Sequence, residues 1–146
     1  VYRLIAFEGI SGSGKTTLYE SVRKHVGQTN LIVHRWTPTK WVYDRLYKRN
    51  EVNTSRLIEL ERQLVPILDP LIVWCVCDPE IAAMRKIEQG DLNVEPDLGR
   101  AQLLYWSYMS GICQFEQILV RTDQRSVEDC TWDILMKFNH KAQVRV

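Results

Sequence analysis

Short apolar runs alternate along this chain with longer stretches in which apolar residues recur every three or four positions. Four runs, residues 2–7, 31–33, 71–77 and 117–121, are brief enough for strands and apolar enough to be covered on both faces. The clearest is the third, Leu71, Ile72, Val73, Trp74, Cys75, Val76 and Cys77. Between them the helical period predicts six helices. The first spans residues 16–26 and stops at Gly27. Thr37 as cap and Pro38 in the first turn open a second, which runs to Tyr47 or Arg49. Asn53 or Thr54 caps a third with apolar positions at Leu57, Ile58, Leu60, Leu64 and Ile67, and Asp69-Pro70 breaks it. Asp78-Pro79-Glu80 starts a fourth that reaches about Glu88; residues 89–96 read as a loop, and residues 97–115 as a long fifth helix. Ser126 caps a sixth through about Phe138. Strands that alternate with helices predict an α/β fold, a parallel sheet flanked by helices in three layers. Ligands of such sheets bind at the carboxyl ends of the strands. Polar residues fall there in three places: the Gly-rich turn after the first strand, His34-Arg35, and Asp78.

Bulk properties narrow the picture modestly. The 146 residues fit one domain, 1–146, with a core of its own. A net charge of +1 gives no global electrostatic case for nucleic-acid binding and leaves only a local basic patch. No apolar run approaches the roughly 18 residues needed to span a bilayer, and no secretory leader is visible. A cytoplasmic protein without membrane association is expected. Cys75, Cys77, Cys113 and Cys130 read as reduced thiols, with neither a zinc site nor a structural disulfide.

The candidate chemistry lies between the first strand and first helix. Gly9-Ile10-Ser11-Gly12-Ser13-Gly14-Lys15-Thr16 is a complete G-x-x-x-x-G-K-[ST] phosphate loop. Ordinary residue frequencies make a chance match roughly one in two hundred. Its glycines let the backbone approach a phosphate chain without Cβ clashes. The backbone of Gly9, Ser11, Gly12, Ser13 and Gly14 forms an anion nest, and the following helix adds its positive end. Lys15 reaches the β- and γ-phosphates, Thr16 ligates Mg²⁺, and Thr17 follows at the same helix start. These parts bind a nucleoside triphosphate and steady a transferring phosphoryl group. The loop leaves the acceptor open: water, a small molecule, a nucleic acid or a protein.

At this point the residues resemble a family. Residues 4–17, running through Phe7-Glu8-Gly9 to Gly14-Lys15-Thr16-Thr17, look like the F-E-G-x-D-G-x-G-K-T-T opening of thymidylate kinases. His34-Arg35 resembles their D-R-[YF] segment, and Cys77-Asp78-Pro79-Glu80 their V-D-P-E segment. Residues 118–134, with Asp123, Ser126, Val127 and Ile134, resemble their last strand and helix. The resemblance implies a nucleoside monophosphate kinase fold, with ATP and Mg²⁺ as donor and a deoxynucleoside monophosphate such as dTMP as acceptor. By matching position it implies that Arg35 holds the acceptor's phosphate, through a guanidinium fork suited to that task. Arg85 is a candidate catalytic residue and Arg100 a second arginine of a lid around residues 85–100. Glu8 and Asp78 are further candidates at the metal, and Trp36, Trp41 and Tyr43 are available to stack on an acceptor base. His34 is a candidate base or hydrogen-bonding group. A homodimer is the assembly considered.

The chain also departs from that family. Ser11 and His34 stand where it usually carries Asp, and residues 89–96 hold no arginine. Only Gln28-Thr29-Asn30 separate Gly27 from the second strand, where the family inserts another strand and a helical region. Either this is a minimal kinase or segments are missing near 27–31 and 90–97, and the second reading is preferred. Two other functions stand beside the first: a kinase for a nucleoside or for a modified base or end within DNA or RNA, and a nucleotide-gated switch or ATPase. Guanine-specific switches carry N-K-x-D, and Asn139-His140-Lys141 does not match it.

Overall fold

The apolar runs become four parallel strands: β1 (Leu4–Glu8), β2 (Leu31–His34), β3 (Leu71–Val76) and β4 (Glu116–Arg121). They lie in the order β2-β1-β3-β4. The computed structural model describes residues 3–26, 30–91, 95 and 97–144, with side chains to residue 139. Six helices accompany the strands among these residues: α1 (Lys15–Arg23), α2 (Thr37–Leu46), α3 (Thr54–Leu68), α4 (Pro79–Glu88), α5 (Leu98–Gly111) and α6 (Val127–Val144). The two junctions where the sequence reads as shortened fall largely on residues 27–29, 92–94 and 96, outside the described residues.

Central position explains why β1 and β3 are apolar throughout. Every residue of both strands is buried, whereas the outer strands β2 and β4 are partly exposed. Alternate side chains serve two cores. Ala6, Ile72 and Trp74 face Trp41 of α2 and Tyr105 and Tyr108 of α5. Ile5, Phe7, Val73 and Cys75 face Leu18 and Val22 of α1 and Cys130 and Ile134 of α6. Each fully buried aliphatic side chain here contributes about 1.5–3 kcal/mol. Register aligns Phe7 with His34 and Glu8 with Trp74, so the strands deliver their carboxyl ends to one edge. The opposite edge is tied by buried Arg3. Its Nε donates to Asp69 O at 3.0 Å, Nη1 to Phe138 O at 3.1 Å and Nη2 to Glu116 Oε2 at 2.9 Å.

Caps form largely where the residue types anticipate them. Asn53 accepts from Arg56 N at 3.1 Å, Asp78 from Glu80 N at 2.9 Å, and Ser126 from Asp129 N at 3.1 Å. Thr37 is a correction. Trp36 occupies the cap position without a side-chain bond, and Thr37 is the first helical residue. Its hydroxyl donates instead to buried Glu61 of α3, at 2.7 Å. α5 also ends at Gly111 and not at residue 115. Phe115 is drawn into the core, where its ring stacks on Trp36 at 5.1 Å. α6 continues past Phe138 to Val144. No helix among the described residues is long and apolar enough to cross a membrane.

Candidate phosphate-binding cleft

The turn from β1 to α1 has the backbone its glycines allow. Gly9 (φ 144°) and Gly12 (φ 81°) lie in the region that side chains disfavour. A Cβ on Gly9 would come within 2.4 Å of Cys75 O, and one on Gly12 within 2.4 Å of Ala82 O. The loop is thereby seated against β3 and α4. α1 starts at Lys15 without a side-chain cap and without an acidic residue in its first turn, so its positive end stays available to an anion. Lys15 curls over the loop; its Nζ donates to Gly9 O at 2.8 Å and Ile10 O at 2.6 Å. It is only 8% exposed. Burial, helped by the charge of Arg35, lowers its pKa to about 8.

Before this loop opens a cleft of about 450 Å³. Ser11, Gly12, Gly14, Lys15, Thr16 and Thr17 form its floor, with His34 and Arg35 on one side and Arg85, Lys86, Gln89 and Thr122 on another. Four cationic side chains line it, Lys15, Arg35, Arg85 and Lys86, and no carboxylate does among the described residues. The arrangement concentrates positive potential where the helix end already points.

Arg35 follows β2 in a left-handed conformation, φ 58°, that a non-glycine residue adopts at a cost. Its N–H donates to Phe7 O at 2.9 Å, and its guanidinium lies 5.2 Å from the Tyr43 ring centre. The His34 ring lies 4.1 Å from that of Tyr19. Partial burial, then the charge of Lys15, lowers the His34 pKa from 6.5, which leaves the imidazole neutral at pH 7. Behind this corner sits Glu8, fully buried. One of its oxygens accepts from Trp36 N–H and the other from the Thr39 hydroxyl, with the Tyr105 hydroxyl 3.5 Å away. Burial pushes its pKa up to about 7. On the far side, Arg85 is held by Thr122. Nη2 donates to Thr122 O at 2.9 Å and Nη1 to Thr122 Oγ1 at 3.3 Å.

The fold thus gathers the phosphate-loop residues with His34, Arg35 and Arg85, and separates other candidates from them. Trp41 is a correction: it is 6% exposed, lies in the core against Tyr108, and donates from Nε1 to Thr54 Oγ1 at 3.1 Å. Its ring is consumed in packing because α2 turns that face towards α5. Trp36 is likewise engaged with Phe115. Tyr43 remains beside Arg35, and its hydroxyl donates to Glu95 at 2.8 Å. Arg100 is exposed on the first turn of α5 and does not line the cleft. Asp78 caps α4, and its N–H donates to Asp123 at 3.0 Å; it too lies outside the cleft lining. Glu8 is committed to the Trp36–Thr39 corner, so neither acidic candidate faces the cleft as a metal ligand. The described residues contain no group of three His, Cys, Asp or Glu side chains arranged to hold a metal. The Thr16 hydroxyl is the metal candidate that does line the cleft. Sequence reasoning missed Thr122, although its place after the last strand, at the ligand edge, was a usable signal. It also missed Thr39 and Glu95, which no local pattern marks.

No protein-family model matches the chain. Over 58 residues, 40% of this chain, it is 36% identical to a probable thymidylate kinase of Methanococcoides burtonii, and the match spans 29% of that protein. In structure it is similar to the YorR protein of Bacillus subtilis, solved in complex with phosphorylated GDP. That similarity has a TM-score of 0.79 at 19% identity and covers 96% of this chain and 98% of that one. It is also similar to the deoxyadenosine kinase of M. mycoides, solved with the products dCMP and a flexible dCDP. There the TM-score is 0.68 at 15% identity, with 94% and 99% of the two chains covered. The chain has the P-loop α/β fold found in such kinases. It resembles a thymidylate kinase over part of its length.

Proposed function

We propose that this protein is a P-loop kinase that transfers the γ-phosphoryl group of ATP to a nucleotide, a deoxynucleoside monophosphate such as dTMP. The observation that carries the reading is the meeting of the phosphate loop and Arg35 in one cleft whose charged lining residues, among those described, are all cations. The residues fit ATP with Mg²⁺. The loop is a cradle that a Cβ on Gly9 or Gly12 would fill, the buried ammonium of Lys15 lies across it, and Thr16, in the cleft lining, would supply a hydroxyl to the metal. When bound, ATP with Mg²⁺ supplies the phosphoryl group: its bond to the β-phosphate oxygen breaks as a bond to the acceptor oxygen forms, and ADP leaves.

Lys15 and the loop N–H groups hold the donor phosphates and neutralise charge on the group in transit. Arg35 draws in the acceptor's phosphate from the β2 side. A monophosphate brings an ionised oxygen as nucleophile and needs no base, which suits a cleft that no carboxylate lines among the described residues. A nucleoside is the second reading, supported by the likeness in fold to a deoxyadenosine kinase. A hydroxyl nucleophile must lose a proton, and His34, neutral at pH 7, is the cleft group able to accept it.

The experiment is an acceptor screen that follows ADP release with each deoxynucleoside, each monophosphate, and short DNA or RNA with and without modified bases. ADP is expected only when Mg²⁺ and a monophosphate are both present. Lys15→Ala should lower kcat by about 10²–10³, as loss of a transition-state charge contact does; turnover at the wild-type rate rejects the mechanism. Arg35→Ala should raise the acceptor KM and leave ATP affinity within about twofold, because it removes a contact to one substrate only.

A further inference from the structure

Thr122 lies just beyond β4, outside the phosphate-loop motif, yet its hydroxyl reaches the loop. Thr122 Oγ1 donates to Ser13 O at 2.6 Å, across 109 residues of sequence, and accepts from Arg85 Nη1 at 3.3 Å. The same residue's carbonyl accepts from Arg85 Nη2 at 2.9 Å, and its N–H donates to Val76 O at 3.0 Å. One residue therefore anchors to β3, bonds to the phosphate loop and grips both prongs of a guanidinium. A Cβ built on Gly14 would lie 3.5 Å from Thr122 Cβ and 3.7 Å from Arg85 Nη1. The guanidinium is thus parked beside the glycine from which α1 starts, in the cleft wall.

We infer that Thr122 is a positioning residue for the donor triphosphate: it fixes Arg85 as a preset cation beside the Gly14–Lys15 turn and ties that cation to the loop. This rests on reading the loop as an ATP site. A free arginine loses rotamer freedom when a ligand immobilises it. Arg85 has already lost most of that freedom to Thr122, so more of its attraction for phosphate appears as affinity. Geometry singles out the hydroxyl. Valine has nearly the same shape but neither donates to Ser13 O nor accepts from Arg85, whereas serine does both.

Affinity for ATP with Mg²⁺ is measured by titration calorimetry on the full chain for wild type, Thr122→Val, Thr122→Ser, Arg85→Ala, Arg85→Lys and the Thr122→Val/Arg85→Ala double variant. Thermal unfolding of each accompanies the titrations. Thr122→Val is expected to weaken ATP binding about tenfold, the size of one lost hydrogen bond to a charged group. Thr122→Ser should stay within about twofold of wild type. In the Arg85→Ala background Thr122→Val should add less than about twofold, because the cation it positions is gone. Arg85→Lys keeps the charge but cannot span both Thr122 oxygens, so it should fall by about as much as Thr122→Val, and it serves should the valine variant not fold. Equal losses from Thr122→Val in both backgrounds, or wild-type affinity in Thr122→Val or Arg85→Lys, overturn the inference and leave the ATP reading standing. A wild-type chain that takes up no ATP overturns both.

Discussion

Glu8→Gln tests the corner that holds Arg35 in place. The Glu8 carboxyl is fully buried, and burial raises its pKa from 4.5 to about 7 against the opposing hydrogen bonds from Thr39 and Trp36. Between these two values the folded chain keeps a proton that the unfolded chain has released. The sign follows directly: stability from this group is fully present below pH 4.5 and is lost as pH rises through 7. The interval corresponds to about 3 kcal/mol at 1.36 kcal/mol per pH unit. Glutamine has the same shape. Its carbonyl accepts from Trp36 N–H, and its amide faces the Thr39 and Tyr105 hydroxyls. It does not titrate, so the variant should gain on wild type by about 3 kcal/mol between pH 4.5 and 8. Urea unfolding of both proteins at half-unit pH steps measures this, and stopping at pH 8 limits the contribution of Lys15, whose own pKa lies near there. A stability difference that stays flat to within about 1 kcal/mol across the window would refute the reasoning.

Two further expectations bear on other parts of the molecule. Arg35→Gly should unfold at a higher temperature than Arg35→Ala, by a difference worth about 1 kcal/mol, because glycine relieves the left-handed strain at φ 58° while both lose the guanidinium. Equal unfolding temperatures would show that the corner is not strained. Arg3→Ala should cost about 3–5 kcal/mol in urea unfolding, since it removes a buried cation bonded to Asp69, Phe138 and Glu116. A loss below about 1 kcal/mol would show that those contacts are replaced by solvent.

What was legible beforehand was what neighbours in the chain determine. Continuous apolar runs are buried on both faces only in a covered parallel sheet, so β1 and β3 announced themselves and each other's direction. The phosphate loop was legible for the same reason: its glycines, lysine and threonine are contiguous, and their torsions and helix start follow from local geometry. Asp78-Pro79 marked the start of α4 correctly, but the capping bond then used the carboxylate that had also been a metal candidate. Of the three aromatic candidates for the acceptor, periodicity alone did not separate Trp41, turned into the core, from Tyr43, left beside Arg35.

The remainder depends on contacts between distant parts of the chain. Glu8 meets Trp36 and Thr39, and Thr122 meets Ser13 and Arg85, across separations of 28 to 109 residues that no local pattern spans. Arg35 takes a left-handed backbone that its own residue type disfavours, because the β2–α2 corner is bonded to Phe7 and Glu8 on the next strand. The succession of strands and helices along the chain and the phosphate-loop pattern were set locally, since both follow from adjacent residues. Which cations face that loop, and which carboxylates are withdrawn from it, was decided by parallel strands that end at a common edge and bring distant segments together.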